Sequence, residues 1–139
     1  MKQKDFKILA ELRRNSRATL VEIGRKTRVP VATVFDRIVK LEKSAIARNV
    51  MLLDFARLGF PVRMQYLFTA KQGIDDFLHH PNLNYAAQTS KEHDFAIEMF
   101  FRTPAEADIF EETLEQTVQN VRKVHMIEEL KREAAVIKL

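Results

Sequence analysis

The spacing of apolar residues changes partway along the chain, from a helical period to a strand period. Up to residue 43, apolar side chains recur every three or four positions, whereas from Val62 to Phe68 every second residue is apolar. A chain of 139 residues with such a change forms one ordinary domain or two small ones. The pattern predicts a helical part over residues 1–52, a connector over 53–61 and a sheet-containing part over 62–139.

Charge is divided along the chain in a similar way. Residues 1–50 hold 13 Lys and Arg against 5 Asp and Glu, a net charge of +8, and residues 51–139 carry a net charge of −4. A basic first third is typical of a segment that binds a polyanion, although an ordinary solvated surface can have the same composition. We expect a cytoplasmic chain, because it has no Cys, no secretory signal and no membrane-spanning apolar run.

Three helices are predicted in the first part. The first covers residues 5–15. The second begins at the capping-box pattern Thr19–Glu22, and Gly24 within it permits another helix to cross closely. Pro30 ends the second helix and starts the third, which runs to about Lys43.

The third helix is expected to bury one face and expose the other. The face predicted to be buried holds Val31, Val34, Phe35, Ile38 and Leu41. The face predicted to be exposed holds Ala32, Thr33, Asp36, Arg37 and Lys40. The following residues, 44–53, are predicted to form a short turn and then an extended stretch from Ile46 to Leu53, with a small hairpin as an alternative.

The second part has the predicted element order βαββαβ, which is the ferredoxin-like arrangement. The strands are predicted over 62–69, 83–89, 95–101 and 124–129, and the helices over 72–78 and from Pro104 along an inward stripe that ends at Val121. The fold class is therefore α+β, an N-terminal (winged) helix-turn-helix followed by a ferredoxin-like βαββαβ domain. Residues 130–139 fit either a strand extension or a helical tail. The open sheet face would carry Leu67 and Phe100, which favours self-association.

Residues 19–43 have the spacing of a helix-turn-helix, whose second helix enters the DNA major groove. Ala32 and Thr33 suit a thymine methyl group, and Asp36 suits cytosine N4 or a neighbouring Arg. The candidate DNA contacts are Arg17, Arg28, Val31, Ala32, Thr33, Asp36, Arg37, Lys40 and Arg48, with Arg13, Arg14 and Arg25 as further phosphate contacts. A basic three-helix bundle that binds another protein is the alternative, and the net charge favours double-stranded DNA.

Three stretches of the chain together resemble the Lrp/AsnC, or feast/famine, family of transcriptional regulators. These are the helix Val29–Glu42, the pair Leu53-Asp54 and the triplet Leu58-Gly59-Phe60. The resemblance extends over roughly residues 4–129. It implies a homodimer formed through the sheets, with tetramers or octamers as further assemblies, and an amino-acid effector bound near the loop between the second and third strands.

The effector loop that the resemblance implies departs from the family pattern, Thr/Ser-Gly-x-Tyr-Asp. Its candidate residues here are Ser90, Lys91, His93 and Asp94, in which Lys replaces the Gly and His replaces the Tyr. A Gly in such a loop supplies a positive φ or a close backbone approach, and Lys supplies neither cheaply. Pro30 stands where the family commonly has a Ser cap.

No pattern in the sequence indicates catalysis or a cofactor. The adjacent His79 and His80 precede Pro81, which is typical of a turn, and the sequence has no metal, phosphate-loop or nucleophile motif. The resemblance implies a prokaryotic, nucleoid-associated regulator, and from the sequence we expect no metal, no cofactor and no membrane partner. The alternatives are an architectural DNA-binding protein without a metabolite switch and a small enzyme built on the ferredoxin-like domain.

Overall fold

The computed structural model describes residues 1–47 and 50–130, and these form two compact units. The N-terminal unit comprises the described residues up to Leu52, and the sheet unit comprises Leu53–Leu130. Among the described residues, no helix is both long enough and apolar enough to cross a membrane.

The N-terminal unit consists of three helices, as predicted. They are α1 (Gln3–Arg14), α2 (Leu20–Thr27) and α3 (Val31–Glu42). The capping box at the start of α2 is confirmed, because the Glu22 amide donates to Thr19 Oγ1 over 3.2 Å and the Thr19 amide donates to Glu22 Oε2 over 2.8 Å. The helices enclose a small core of Ile8, Ile23, Val29, Val34 and Leu41.

The short turn predicted after α3 is present, but the stretch after it contains no strand in the described residues 46–47 and 50–53. The amides of Ser44, Ala45 and Ile46 all donate to the Leu41 carbonyl, over 3.1, 2.7 and 2.8 Å. These bonds close the turn at the end of the helix. Arg48, one of the predicted phosphate contacts, lies outside the described residues.

The Leu-Asp-x-x-x-Leu-Gly-Phe stretch folds as a compact turn of the sheet unit. The Asp54 carboxylate accepts from the Arg57 amide over 3.2 Å, and the Phe55 carbonyl accepts from the Phe60 amide over 2.9 Å. Gly59 has φ +90°, a conformation that favours glycine. The motif is therefore explained by a turn that ends in a left-handed residue.

The sheet unit has the predicted ferredoxin-like order. Its elements are β1 (Val62–Thr69), α4 (Asp75–Leu78), β2 (Leu83–Gln88), β3 (Phe95–Phe101), α5 (Pro104–Thr117) and β4 (Gln119–His125). The strands form one antiparallel sheet in the order β2-β3-β1-β4. The α+β fold class is thus confirmed.

The core of the sheet unit is larger than that of the N-terminal unit and rich in aromatic residues. Alternate residues of β1 and β3 face α5, and Phe68, Phe77, Phe101 and Phe110 are buried among them. The ring of Phe110 lies 5.4 to 6.0 Å from those of Tyr66, Phe77 and Phe101, which is the normal spacing of packed aromatic pairs.

Several predicted boundaries in the sheet unit are wrong. Helix α4 begins at Asp75 rather than at residue 72, α5 ends at Thr117, and β4 covers Gln119–His125 rather than 124–129. Val118 and Val121 continue the apolar spacing of α5, yet they reach the same core from an extended backbone. The spacing of apolar residues could not distinguish a longer helix from a strand here, because Val118 and Val121 would pack in the core in either element.

The face of the sheet opposite α5 carries both apolar residues predicted for it, Leu67 and Phe100, together with Tyr85, which is 54% exposed. Phe100 lies on it but is only 6% exposed, because the Phe55 ring stacks on it with a centroid separation of 4.0 Å. Arg63 lies over the same ring at 5.5 Å and forms an ion pair with Glu98 over 2.5 Å. Leu67 remains as a half-buried apolar residue in the middle of this face.

Candidate nucleic-acid interface

The turn between α2 and α3 is held by a close backbone approach. A Cβ atom on Gly24 would lie 2.9 Å from the Val29 carbonyl oxygen, so the helix needs glycine at this position. Arg28 ends α2 in the left-handed region with φ +58°, and the Val29 amide donates to the Gly24 carbonyl over 3.1 Å. This turn fixes the direction in which α3 leaves α2, and the predicted close crossing at Gly24 is confirmed.

The outer face of α3 differs from the predicted one. Val34 and Leu41 are buried and Ile38 is half-buried, as predicted, but Phe35 is 55% exposed and Val31 is 42% exposed. The α1 and α2 packing surface covers a narrower arc of α3 than the apolar sequence pattern suggested. The outer face therefore holds Ala32, Phe35, Asp36 and, one turn later, the half-buried Val39, with Val31 at its edge.

Arg37 lies at the side of α3 that faces α1. Its Nη1 atom is 3.4 Å from Oδ1 of Asp5, which is only 5% exposed, and the other Asp5 oxygen accepts from the Lys2 amide over 2.7 Å. Arg37 was predicted to contact DNA, whereas in this structure its guanidinium holds α1 and α3 together. Sequence spacing does not indicate this pair, because an Asp at a helix start is explained fully by capping.

Thr33, the neighbour of Arg37 one turn earlier, is half-buried at the same side of α3. The basic residues Arg17, Arg28 and Lys40 are exposed. Arg17 Nη2 lies 3.4 Å from the Met51 sulfur, and Glu11 draws Arg14 and Lys26 together through contacts of 2.7 and 3.4 Å. The exposed Arg28 and Lys40 thus precede and follow the outer face of α3 along the chain, an arrangement suited to a phosphate backbone.

A second candidate site is the loop between β2 and β3, which contains the predicted effector residues. The Thr89 amide donates to the Asp94 carbonyl over 2.7 Å, and the Thr89 hydroxyl donates to the His93 carbonyl over 2.6 Å. Lys91 has φ +78°, so it adopts the left-handed conformation that glycine adopts at low cost. The loop therefore keeps a glycine-type backbone at the position where Lys replaces the Gly.

His93 and Asp94 are half-buried, whereas Ser90 and Lys91 are exposed. The His93 Nε2 atom is buried and has no hydrogen-bond partner among the described residues. A buried ring nitrogen without a partner costs free energy, which a ligand or a second chain would recover by supplying a hydrogen bond.

A cavity of about 820 Å³ lies on the helical side of the sheet unit, and none of its lining residues belongs to the β2–β3 loop. Phe60, Phe77, Phe101 and Phe110 form its apolar wall, while His80 and Arg102 contribute polar groups. Burial lowers the pKa of His80, whose Nδ1 accepts from the Asn82 amide over 3.1 Å. Within the part of the chain that the structure describes, no cluster of three His, Asp or Glu residues could hold a metal ion.

Comparisons with known proteins identify the type of the N-terminal domain and find several similar folds. Residues 1–42 match the model of the AsnC-type helix-turn-helix domain. The fold is similar to that of B. subtilis LrpC, with a TM-score of 0.85 and 20% identity over 94% of this chain and 97% of that one. It is also similar to a transcriptional regulator from Neisseria meningitidis in complex with L-Met, with a TM-score of 0.83 and 19% identity over 99% and 96% of the two chains.

A further similar structure is E. coli AsnC, with a TM-score of 0.80 and 15% identity over 95% of each chain. No curated protein sequence matches this chain. At these identities the structural likeness establishes the fold, and the match over residues 1–42 establishes the type of the N-terminal domain.

Proposed function

The chain has an AsnC-type helix-turn-helix domain and the Lrp/AsnC fold, and from this premise we propose that it is a sequence-specific transcriptional regulator that binds double-stranded DNA as a homodimer. The observation that carries the proposal is the surface of α3, which leaves the turn at Gly24 with a free outer face between exposed cations. The net charge of +8 over residues 1–50 supports the same partner.

In this proposal α3 lies in the major groove and its first two turns face the base edges. Ala32 and Asp36 face the bases, while Arg17, Arg28 and Lys40 bind phosphates. Val31, at the edge of the face, and Thr33, at its side, lie next to the groove walls. Arg48 stays a predicted phosphate contact. A two-fold dimer would bind two half-sites about one helical turn, or a multiple of it, apart.

The experiment that tests the proposal is a binding titration with the DNA upstream of the chain's own gene, compared with scrambled DNA of equal length over a salt series. We expect tighter binding to the upstream DNA. For both duplexes, the logarithm of the binding constant should fall linearly with the logarithm of the salt concentration. Equal binding of both duplexes at every salt concentration would contradict sequence specificity.

Two charge-neutralising variants make a matched comparison for this titration. Lys40→Gln removes an exposed cation from α3, and Lys71→Gln removes one from the sheet unit. For Lys40→Gln, we expect the slope of the logarithm of the binding constant against the logarithm of the salt concentration to become shallower by about one for each α3 bound. For Lys71→Gln, the slope should stay near that of the parent protein.

The homodimer is proposed to form through the open face of the sheet. Leu67 lies in the middle of this face, between Ala96 on β3 and Arg122 on β4. Sedimentation velocity of the full chain should give a dimer, and Leu67→Lys should weaken it by placing like charges opposite each other. Gln72→Lys, at an exposed position outside the strands, is the control that should remain dimeric.

The regulator is proposed to respond to an amino acid bound near the β2–β3 loop. The glycine-type backbone of Lys91 and the unpartnered Nε2 of His93 support this location. Each of the 20 common amino acids, titrated into the protein–DNA complex, tests it. If none of them changes DNA affinity or assembly state, the chain is an architectural DNA-binding protein.

Regulation of transcription would place the protein on the nucleoid in the cytoplasm of a prokaryotic cell. The proposal contains no catalytic step and no cofactor. If deletion of residues 1–50 left a chemical activity of the sheet unit intact, the enzyme alternative would replace this proposal.

A further inference from the structure

Phe35 is the largest side chain on the outer face of α3, and its exposure is not explained by the packing of the N-terminal unit. Its side chain is 55% exposed, whereas Val34 beside it is fully buried in the core. Single exposed apolar residues are common on protein surfaces. This one is different because Val31 and Ala32, the preceding turn of the same helix, are exposed with it.

The outer face of α3 thus begins with an apolar strip, Val31, Ala32 and Phe35, that includes the end of the helix nearest the turn. Asp36 is the only charged residue of the first six in α3, and Arg37 is held against Asp5. The side chain that could have read guanine with two hydrogen bonds is therefore directed to α1. Most of this face can therefore recognise bases only by apolar contact.

Charge identifies double-stranded DNA, rather than an apolar protein surface, as the partner of this strip. Arg28 lies three residues before the strip and Lys40 lies five residues after it, and both are exposed. A partner that meets the strip must also accept these cations without burying them unpaired. The major groove does so, because it presents apolar methyl groups between two rows of phosphates.

We propose that Phe35 is a specificity-determining residue that recognises the C5-methyl group of a thymine in the major groove. The proposal rests on the function proposed above and adds to it the chemical group that is read. Thymine is the only base of unmodified DNA with a methyl group at this groove edge, so apolar contact there distinguishes it from cytosine and from adenine and guanine. Ala32 supports the contact from the preceding turn.

The test begins with the full chain and a pool of duplexes that have a randomised central segment. Sequences enriched by the parent protein define its site, and each thymine of that site is then replaced singly by uracil, which removes only the methyl group. We expect one replacement in each half-site to weaken binding by about fourfold, the contribution of one buried methyl-sized group.

The variant Phe35→Ala should bind the thymine and uracil duplexes equally at that position, and should enrich a site without a preference there. Phe35→Leu should keep part of the discrimination, because it keeps an apolar side chain. Ile109→Ala, which truncates a similarly exposed apolar residue on α5, is the control and should discriminate as the parent protein does.

Three results would overturn the inference. If Phe35→Ala keeps the full difference between thymine and uracil, another residue reads the methyl group. If Phe35→Ala weakens binding to all duplexes equally, the side chain has no role in specificity. If the parent protein enriches no sequence at all, sequence-specific binding itself fails. The first two results leave the proposed function standing, so the two failures can be told apart.

Discussion

The two units of the molecule are stabilised in different ways. The N-terminal unit has a core of five buried apolar residues, together with a capping box, one glycine contact and one buried carboxylate. The sheet unit has a core of twelve buried residues, most of them brought together by strand pairing between distant parts of the chain. The small unit depends on single local features, so one substitution has more effect there, and this difference gives the following predictions.

The largest effect is expected in the small core. Ile23→Ala should lower the free energy of unfolding of the N-terminal unit by about 2–5 kcal/mol, because it opens a cavity in a core of only five residues. Hydrogen exchange of the amides in α1, α2 and α3 measures this locally. Val21→Ala in the same helix is the control, since Val21 is 66% exposed and its loss should cost less than about 0.5 kcal/mol. Equal losses in the two variants would contradict the assigned core.

The next effect concerns the contact between α1 and α3. Asp5→Asn should lower the free energy of unfolding by about 1–3 kcal/mol, because it removes the charge that pairs with Arg37 while keeping a side chain of the same shape. A double-mutant cycle with Arg37→Gln should give non-additive losses. Asp36→Asn, which removes an exposed carboxylate from α3, is the control and should cost little. Additive losses would return Arg37 to the set of DNA contacts.

A gain in stability is expected where non-glycine residues adopt a left-handed backbone. Each unit has one at its proposed binding region, Arg28 with φ +58° and Lys91 with φ +78°. Lys91→Gly should raise the free energy of unfolding by about 1 kcal/mol, and Arg28→Gly by a similar amount. Chemical denaturation measures both, and Glu92→Gly, at an exposed loop position without a positive φ, should not stabilise. Arg28→Gly should also weaken DNA binding, so stability and function change in opposite directions only in the N-terminal unit.

The smallest effect is a dependence of sheet-unit stability on pH. Burial lowers the pKa of His80 below its ordinary value of 6.5, so the unfolded chain binds a proton more readily than the folded one. The contribution of neutral His80 to the free energy of unfolding of the sheet unit is therefore fully present above about pH 6.5, and it is lost as the pH falls from there through the lowered pKa. Denaturation of His80→Gln at several pH values should show a weaker dependence than the parent, whereas the exposed His79→Gln should match the parent.

How much of the fold the sequence predicts depends on whether the signal is local. The capping box at Thr19 and the alternation in β1 act over a few residues and were predicted correctly. Val121 was assigned to the wrong element, because its environment is set by pairing between β4 and β1, which no short window of sequence contains. The errors at the end of α5 and at the start of β4 share this cause.

At the candidate site, the elements were easier to predict than the surroundings of their side chains. The turn and the helix that carry the site were predicted, but Phe35 was wrongly placed in the core, and the contact of Arg37 with Asp5 was not predicted. The error at Phe35 comes from assuming that α1 and α2 cover the whole apolar arc of α3. Which part of an arc is covered depends on how three helices cross, and the crossing is set by the backbone contact at Gly24 and the ion pair at Asp5.

Contact between the outer face of α3 and DNA can be measured directly by cross-linking, because the chain contains no Cys. Ala32→Cys places a single thiol on this face, and Ile109→Cys places one on α5 of the sheet unit. Each variant is labelled with a thiol-specific photo-crosslinker and irradiated with the upstream duplex. We expect protein–DNA cross-links from position 32 and few from position 109, whereas equal cross-linking, or cross-linking from position 109 alone, would show that the outer face of α3 does not lie against DNA.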